Sequence, residues 1–257
     1  MSGVISVIKD RQDYNNLIQA CEISKKILRV VVSQVKEGNT PFEINELTKS
    51  LCKQYNCKPA FFGVKGPKGP FPGYLCISTN DEVLHGVPLS KREFKSGDVV
   101  KVDFGLYAYG MYTDHCVNVI VGDVSEQVKK LVEISKLCIE KGIENAISGG
   151  WTGDISNAME TVCKLSKVDF VKTFCGHGIG KKLHMDPEVL TYGERGTGTK
   201  LIEGMVLTIE NQITSGSADL YLDKDGWTLK TKDGSLAFMT EHMIIIRKKQ
   251  AEVLTRI

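Results

Sequence analysis

The feature that most constrains this chain is residues 99–117, where β-branched and aromatic residues surround a glycine-marked centre. This pattern predicts two antiparallel strands joined by a tight turn. A two-residue turn at Ala108 and Tyr109 would place Asp103 directly opposite Asp114. Because carboxylates that face each other repel, the hairpin predicts a cation between them, most simply a divalent metal.

Length and composition are those of a folded globular protein. The chain has 257 residues, 42% of them hydrophobic, and no low-complexity linker, so we expect one domain over residues 1–257. The net charge of +2 is spread along the chain, which argues against direct binding to nucleic acid or a membrane. Without a signal-peptide core or a CxxC pair, we expect a cytoplasmic protein with reduced thiols.

Apolar periodicity predicts four helices, near residues 12–36, 41–52, 125–147 and 154–165. Strands are expected at 75–78, 205–212 and 236–246, in addition to the hairpin. Residues 63–73 are rich in glycine and proline and predict a loop, and residues 80–88 predict a compact turn that presents His85. The order of helix pair, strands, helix pair, strands suggests two related halves, although no internal sequence repeat supports them.

Further candidate ligands stand in unusual surroundings. Glu210 and Glu241 lie inside apolar, strand-like runs, and His177 lies between glycines. Taken singly, an exposed strand position explains either glutamate better than a ligand role does, and a structural role likewise explains His177 better. Together with Asp103 and Asp114 they supply four negative charges and one imidazole nitrogen, which two divalent ions would balance and one would not.

This donor set predicts hydrolytic chemistry. Carboxylate oxygens with one imidazole suit Mn, Fe or Co better than a structural zinc site, and the identity of the ion stays open among Co, Mn, Fe and Zn. Two ions held about 3.5 to 4 Å apart can share a water, acidify it and stabilise the oxyanion that its attack creates. Hydrolysis is therefore the predicted reaction class.

The order of Asp103, Asp114, His177, Glu210 and Glu241 resembles the five metal ligands of type I methionine aminopeptidases, members of the pita-bread metallopeptidase family. The resemblance runs from about residue 10 to the C-terminus. It implies an α/β (α+β) pita-bread fold, a pseudo-twofold antiparallel sheet with helices on its outer face. It also implies that Asp103 and His177 each hold one ion, that Asp114 and Glu241 bridge both, and that Glu210 ligates and shuttles a proton.

The resemblance further implies the reaction and the substrate contacts. The family removes the initiator methionine from nascent polypeptides with a small second residue, by attack of the metal-bridging water on the scissile carbonyl. His85 matches a histidine that positions the substrate, and His184 matches one that stabilises the tetrahedral intermediate. The matching pocket walls, each of which could equally be core packing, are Cys76, Leu183, Trp227, Phe61 and Phe71. Nascent polypeptide N-termini are the expected partners, the ribosome is a candidate contact, and a monomer is expected.

The chain departs from the usual family pattern at several positions, none of them a predicted ligand. Residues 63–73 form a longer loop than usual, Leu183 replaces phenylalanine, Met185 replaces glutamate and Asn211 replaces proline. His115 and Cys116 replace threonine and serine, and strand alternation predicts that His115 points away from the metals. The short spacing from Glu210 to Glu241 leaves no room for the helical insert of type II enzymes, and no N-terminal extension is expected.

Two alternatives remain at this point. Xaa-Pro aminopeptidases and prolidases share the ligand pattern, but they usually carry an extra N-terminal domain, whereas about a hundred residues precede Asp103 here. A catalytically silent binding protein of the same fold is the second alternative. Such relatives typically lose ligands, and all five are present in this chain.

Overall fold

The computed structural model describes residues 5–257. Its helices are α1 (Arg11–Gln34), α2 (Pro41–Gln54), α3 (Glu126–Glu144) and α4 (Thr152–Ser166). Side-chain caps fix the first three starts: Asp10 accepts a hydrogen bond from the Asp13 amide, Thr40 and Glu43 form a capping box, and Ser125 caps α3. The four predicted helices are therefore present, although α3 ends at Glu144 rather than near residue 147.

The strands are short at the edges and long in the middle of the main sheet. They are β1 (Lys58–Pro59), β2 (Lys65–Gly66), β3 (Gly69–Pro70), β4 (Cys76–Thr79), β5 (Glu82–Leu84), β6 (Val99–Ala108), β7 (Met111–Ile120), β8 (Asp169–Phe170), β9 (Gly176–Gly178), β10 (Met185–Val189), β11 (Val206–Thr214), β12 (Leu220–Leu222), β13 (Leu229–Thr231), β14 (Ala237–Ile245) and β15 (Glu252–Val253). Two predictions of irregular structure were wrong in part. The loop at 63–73 contains the β2–β3 hairpin, and the turn at 80–88 contains β5.

The main sheet has ten strands, and its central order is β1-β6-β7-β14-β11-β9-β10. β4 also pairs with β6, β8 with β11 and β15 with β14, and all of these pairs are antiparallel. A three-stranded sheet, β12-β13-β5, and the β2–β3 hairpin stand apart from it. The antiparallel sheet expected from the resemblance is therefore the centre of the molecule.

The hairpin of β6 and β7 forms, but its predicted register was wrong. The turn residues are Tyr109 and Gly110, with φ of 53° and 77°, the left-handed pair that a two-residue hairpin turn of type I′ requires. Asp103 therefore faces Cys116 across the ladder, and Asp114 faces Gly105. Because a slip of two residues preserves the face on which a side chain lies, both aspartates still share one surface.

Two similar halves build the fold. In the first, α1 packs on β6 and β7 and α2 packs on α1; in the second, α3 packs on β11 and β14 and α4 packs on α3. Each half has its own apolar cluster, represented by Leu28 and Phe104 in the first and by Ile139 and Ile209 in the second. The halves join where β7 of the first half pairs with β14 of the second.

The helices cover one face of the main sheet. His115 is fully buried on that face, with its Nε2 2.9 Å from the Ser24 hydroxyl of α1, which confirms that it points away from Asp114. Asn211 also faces the helices, because its side-chain amide donates to the Ser135 carbonyl of α3 at 2.7 Å. Two departures from the family pattern thus lie on the helix side. Within residues 5–257, no helix is long and apolar enough to cross a bilayer.

Candidate metal centre

Strand register brings the predicted carboxylates into one row across the main sheet. Asp103 on β6 pairs with Cys116 on β7, Cys116 pairs with Glu241 on β14, and Glu241 pairs with Glu210 on β11. Directly paired residues lie on the same face of a sheet. Asp114 joins this face because it precedes Cys116 by two positions on β7, so all four carboxylates lie on the face away from the helices.

His177 completes the cluster from the neighbouring strand β9. Its amide donates to the Thr208 hydroxyl at 3.0 Å, and its ring Nδ1 lies 2.9 Å from the Gly178 carbonyl. Since a carbonyl only accepts, Nδ1 carries the proton and Nε2 presents a lone pair. That Nε2 lies 4.0 Å from Oδ2 of Asp114, the orientation that a metal-binding imidazole needs.

Three of the five predicted ligands form a tight, buried group. Asp114, His177 and Glu241 each offer one ligand atom, and these atoms lie within 4.8 Å of one another. Asp103 and Glu210 lie outside this group but on the same face, and they line the same cavity. The structure thus provides a three-residue group that could hold a metal ion, with two further carboxylates beside it.

Burial makes the charged forms of these carboxylates costly. It is the main cause that raises the pKa of Asp103 to about 8 and of Glu210 to about 7. The pKa values of Asp114 and Glu241 are also raised well above the usual range, first by burial and then by neighbouring negative charge. Four such groups cannot all ionise near neutral pH unless a cation compensates them.

The donor atoms themselves fit a divalent metal. Oδ1 of Asp103 and Oδ1 of Asp114 are buried without a hydrogen-bond partner among residues 5–257, a rare condition for a buried polar atom. Burial lowers the pKa of His177 to about 3, so its imidazole is neutral and able to ligate. Oε2 of Glu210 accepts a hydrogen bond from the Gln212 amide at 2.7 Å. Carboxylate oxygens and a neutral imidazole form the donor set that Mn, Fe and Co accept.

A cavity of about 390 Å³ adjoins the cluster, and every residue that the sequence predicted for the site lines it. Those residues come from many separate segments of the chain, so their convergence is a property of the fold. They are Phe61, Phe71, Cys76, His85, Asp103, Asp114, His177, Leu183, His184, Glu210, Trp227 and Glu241.

Aromatic side chains line the cavity beside the carboxylates. Trp227 packs edge-on against Phe71 with ring centroids 5.1 Å apart, and His85 packs edge-on against Trp227 at 6.5 Å and against Phe174 at 5.6 Å. His85 has a left-handed φ of 56°, which is uncommon outside glycine and indicates that the surrounding structure holds it in place. His184 stands edge-on to the ring of His177 at 4.5 Å.

Sequence reasoning missed several residues that line the same cavity, namely Val64, Leu84, Thr173, Phe174, Cys175, Glu188 and Met239. Met239 had a usable signal, because it precedes Glu241 by two positions on β14 and therefore shares its face. Thr173, Phe174 and Cys175 precede β9 in a segment without strand or helix, and no periodic pattern marks them.

Comparison with known proteins agrees with this geometry. Residues 15–248 match the model of metallopeptidase family M24. A methionine aminopeptidase from Clostridium acetobutylicum is 35% identical over 249 residues, covering 97% of this chain and 98% of that protein. The crystal structure of a methionine aminopeptidase from Thermotoga maritima matches with a TM-score of 0.93 and 34% identity, over 99% of this chain and 100% of that one.

A more distant likeness concerns the fold alone. A prolidase from Pyrococcus furiosus matches with a TM-score of 0.77 and 24% identity, and the match covers 98% of this chain and 66% of that one. The resemblance to methionine aminopeptidases and the pita-bread arrangement of sheet and helices are confirmed by the nearer matches. With four carboxylates on one face of its main sheet and a family match over residues 15–248, the chain belongs to metallopeptidase family M24.

Proposed function

We propose that this protein is a metal-dependent aminopeptidase that removes methionine from the N-termini of polypeptides whose second residue is small. One observation carries the proposal: four buried carboxylates and His177 converge beside a cavity with apolar and aromatic walls. Relatives that match this chain from end to end are methionine aminopeptidases. Nascent polypeptides are the proposed substrates.

We assign two divalent ions, of Co, Mn, Fe or Zn, to the cluster. Asp103 and His177 would each hold one ion, Asp114 and Glu241 would bridge both, and Glu210 would ligate as well. The grouping of Asp114, His177 and Glu241 and the orphaned oxygens of the two aspartates support this assignment. When bound, such ions supply a nucleophile from water near neutral pH and stabilise negative charge on the carbonyl oxygen of the substrate.

The protein's own groups would handle protons and orientation. Glu210 lies in the cavity with one carboxylate oxygen fixed by Gln212, which leaves its other oxygen to accept and return a proton. His184 lies at the exposed edge of the cavity beside His177, where its ring can donate a hydrogen bond to the carbonyl oxygen as it gains charge. His85, held between Trp227 and Phe174, would position the peptide.

Selectivity for methionine would arise at the apolar walls of the cavity. Thioether sulfur packs favourably against aromatic rings, and Phe71 and Trp227 present such rings side by side. The remaining proposed walls are Cys76, Phe61 and Leu183. A cavity of about 390 Å³ has space for the methionine side chain and its backbone.

The setting of the enzyme follows from its substrate. We propose that residues 1–257 form one catalytic domain that acts as a monomer in the cytoplasm, where nascent chains emerge. The ribosome is accordingly a candidate contact.

The direct test is release of methionine from a Met-Ala-Ser peptide, under anaerobic conditions, with Mn, Fe or Co supplied in turn. Chelator should abolish release and metal should restore it. Asp114→Asn keeps the shape of the side chain but removes a charge of the cluster, so it should eliminate release while the protein stays folded. Asp123→Asn, at an exposed carboxylate outside the cavity, is the matched control and should retain activity.

Other outcomes would overturn the proposal. Hydrolysis of Xaa-Pro peptides without release from Met-Ala peptides would assign the site to the prolidase-like reaction, whose fold this chain shares. No hydrolysis of either peptide with any of the metals would indicate a non-catalytic binding protein of the same fold.

A further inference from the structure

The hairpin of β2 and β3, residues 65–70, is built against the wall of the cavity. Lys65 pairs with Pro70, and Gly66 pairs with Gly69. Below the hairpin, the Phe71 amide donates to the Val64 carbonyl at 2.8 Å. Since Val64 and Phe71 both line the cavity, the base of the hairpin is part of the pocket wall.

Gly66 rests directly on the indole of Trp227. A Cβ added at Gly66 would lie 2.6 Å from both Cε2 and Cη2 of that ring, well inside van der Waals contact. The φ of Gly66 lies outside the left-handed region, so the obstacle to a larger residue is the ring and not the backbone. The ring that lines the cavity is therefore also packed against the hairpin backbone.

A second contact holds the hairpin to the segment that precedes Trp227. The Lys68 side chain lies across Gly226, where an added Cβ would come 2.5 Å from the Lys68 Cβ, and Gly226 has φ of 82°. Lys68 Nζ also donates to the Lys224 carbonyl at 3.1 Å. The hairpin thus meets residues 224–227 at two points, at Gly66 just before its turn and at Lys68 within the turn.

The segment beneath the hairpin is itself well anchored. Asp225 Oδ1 accepts hydrogen bonds from the amides of Trp227 and Thr228, at 2.8 and 2.9 Å. The Thr228 hydroxyl accepts from the Val87 amide at 3.1 Å. Hydrogen bonds within its own turn therefore hold Trp227 in place. If the contact between Gly66 and Trp227 is crowded, the exposed hairpin is the part that shifts.

We propose that the 65–70 hairpin is a specificity-determining element for the first side chain of the substrate. Gly66 acts by letting the hairpin pack closely against Trp227, which fixes the position of the pocket wall. The inference rests on the proposed function, because it concerns the pocket of that reaction. A methyl group at residue 66 would lift the hairpin away from Trp227 and draw Val64 and Phe71 with it. The cavity would widen without any change to a proposed ligand.

The test compares Gly66→Ala with the wild-type enzyme on peptides that begin with methionine or with the bulkier phenylalanine. We expect kcat/KM for the methionine peptide to fall about tenfold, mainly through KM, because packing around the side chain is lost. Relative release of phenylalanine should rise. Lys68→Ala, which removes the other anchor, should change the preference in the same direction even if Gly66→Ala folds poorly.

Two controls make the comparison specific. Gly150→Ala adds a methyl group beside the chain's other tryptophan, where an added Cβ meets nothing closer than 3.2 Å, and it should leave the preference unchanged. In a Trp227→Phe background the ring atoms that oppose residue 66 are gone, so Gly66→Ala should cost several-fold less than it does beside tryptophan.

A spectroscopic readout separates packing from catalysis. In a Trp151→Phe background, Trp227 is the sole tryptophan, and Gly66→Ala should shift its emission to the red as water reaches the ring. If wild-type protein releases no methionine with any metal, the proposed function fails, while the emission still reports the packing. If wild-type protein is active and Gly66→Ala retains both its preference and its emission, or shifts emission without changing preference, the specificity role is refuted.

Discussion

The clearest physical test of the metal centre is Glu210→Gln in protein freed of metal. Burial raises the pKa of Glu210 from an ordinary value near 4.5 to about 7. In the unfolded chain the group ionises near its ordinary pKa, so the unfolded state releases its proton first as pH rises. The free energy of unfolding is therefore highest below pH 4.5, where Glu210 is protonated in both states, and it falls as pH rises towards 7. From pH 4.5 to 7.5, this one group should cost about 3 kcal/mol of unfolding free energy.

Glutamine keeps the shape of Glu210 and can still accept the hydrogen bond from Gln212, but it cannot ionise. Urea unfolding at pH 4.5 and 7.5, with chelator present, should therefore show a smaller loss of stability for Glu210→Gln than for wild type. The two proteins should differ by about 3 kcal/mol at the higher pH and by little at the lower one. Glu37→Gln, at an exposed glutamate, should follow wild type at both pH values.

Parallel pH dependence of wild type and Glu210→Gln would refute the reasoning. Glu210 would then ionise as it does in water, and the buried row of carboxylates would not require a cation. Conversely, adding Mn or Co to wild type at pH 7.5 should raise the unfolding free energy, because an ion that binds only the folded state stabilises it by mass action. Glu210→Gln should gain less from the same metal.

Four substitutions distinguish the cavity face of the main sheet from its helix face. Gln212→Met removes the donor that orients Glu210, and calorimetry should show metal affinity lower by about 10- to 100-fold. Asp103→Asn should reduce the bound metal from two ions to one in elemental analysis, whereas Asp114→Asn should lose both, and equal losses would contradict the proposed division of ligands. His115→Ala removes one of the two buried hydrogen-bond partners of the Ser24 hydroxyl, the other being the Thr113 hydroxyl, so it should lower stability by roughly 1–3 kcal/mol while metal content stays unchanged.

Strand alternation explains why so much of the site could be predicted from the sequence. The register predicted for Asp103 and Asp114 was wrong by two residues, because the turn uses Tyr109 and Gly110 instead of Ala108 and Tyr109. An error of two leaves every side chain on its original face, whereas an error of one would have turned Asp114 towards the helices. The placement of the carboxylates on one face therefore survived a mistake in their pairing.

The rim of the cavity could not be predicted in the same way. Residues 63–73 lack periodicity, and their structure depends on one glycine that fits against an aromatic ring more than 150 positions away in the chain, at Trp227. Phe174 likewise reaches His85 from a segment without helix or strand. Such contacts depend on the tertiary structure. The sequence therefore shows that the loop is unusual but does not predict how it packs.

The same alternation shows why unusual residues can stand next to proposed ligands. His115 follows Asp114 and Asn211 follows Glu210, yet each points to the helix face, where Ser24 and Ser135 meet it with hydrogen bonds. A polar side chain buried there is tolerated because its partner is supplied by a helix and not by the metal cluster. Along β7 and β11, the packing of α1 and α3 therefore constrains His115 and Asn211, and the charges of the site constrain Asp114 and Glu210. Substitution on one face can proceed without disturbing the other, provided that each buried polar group keeps its partner.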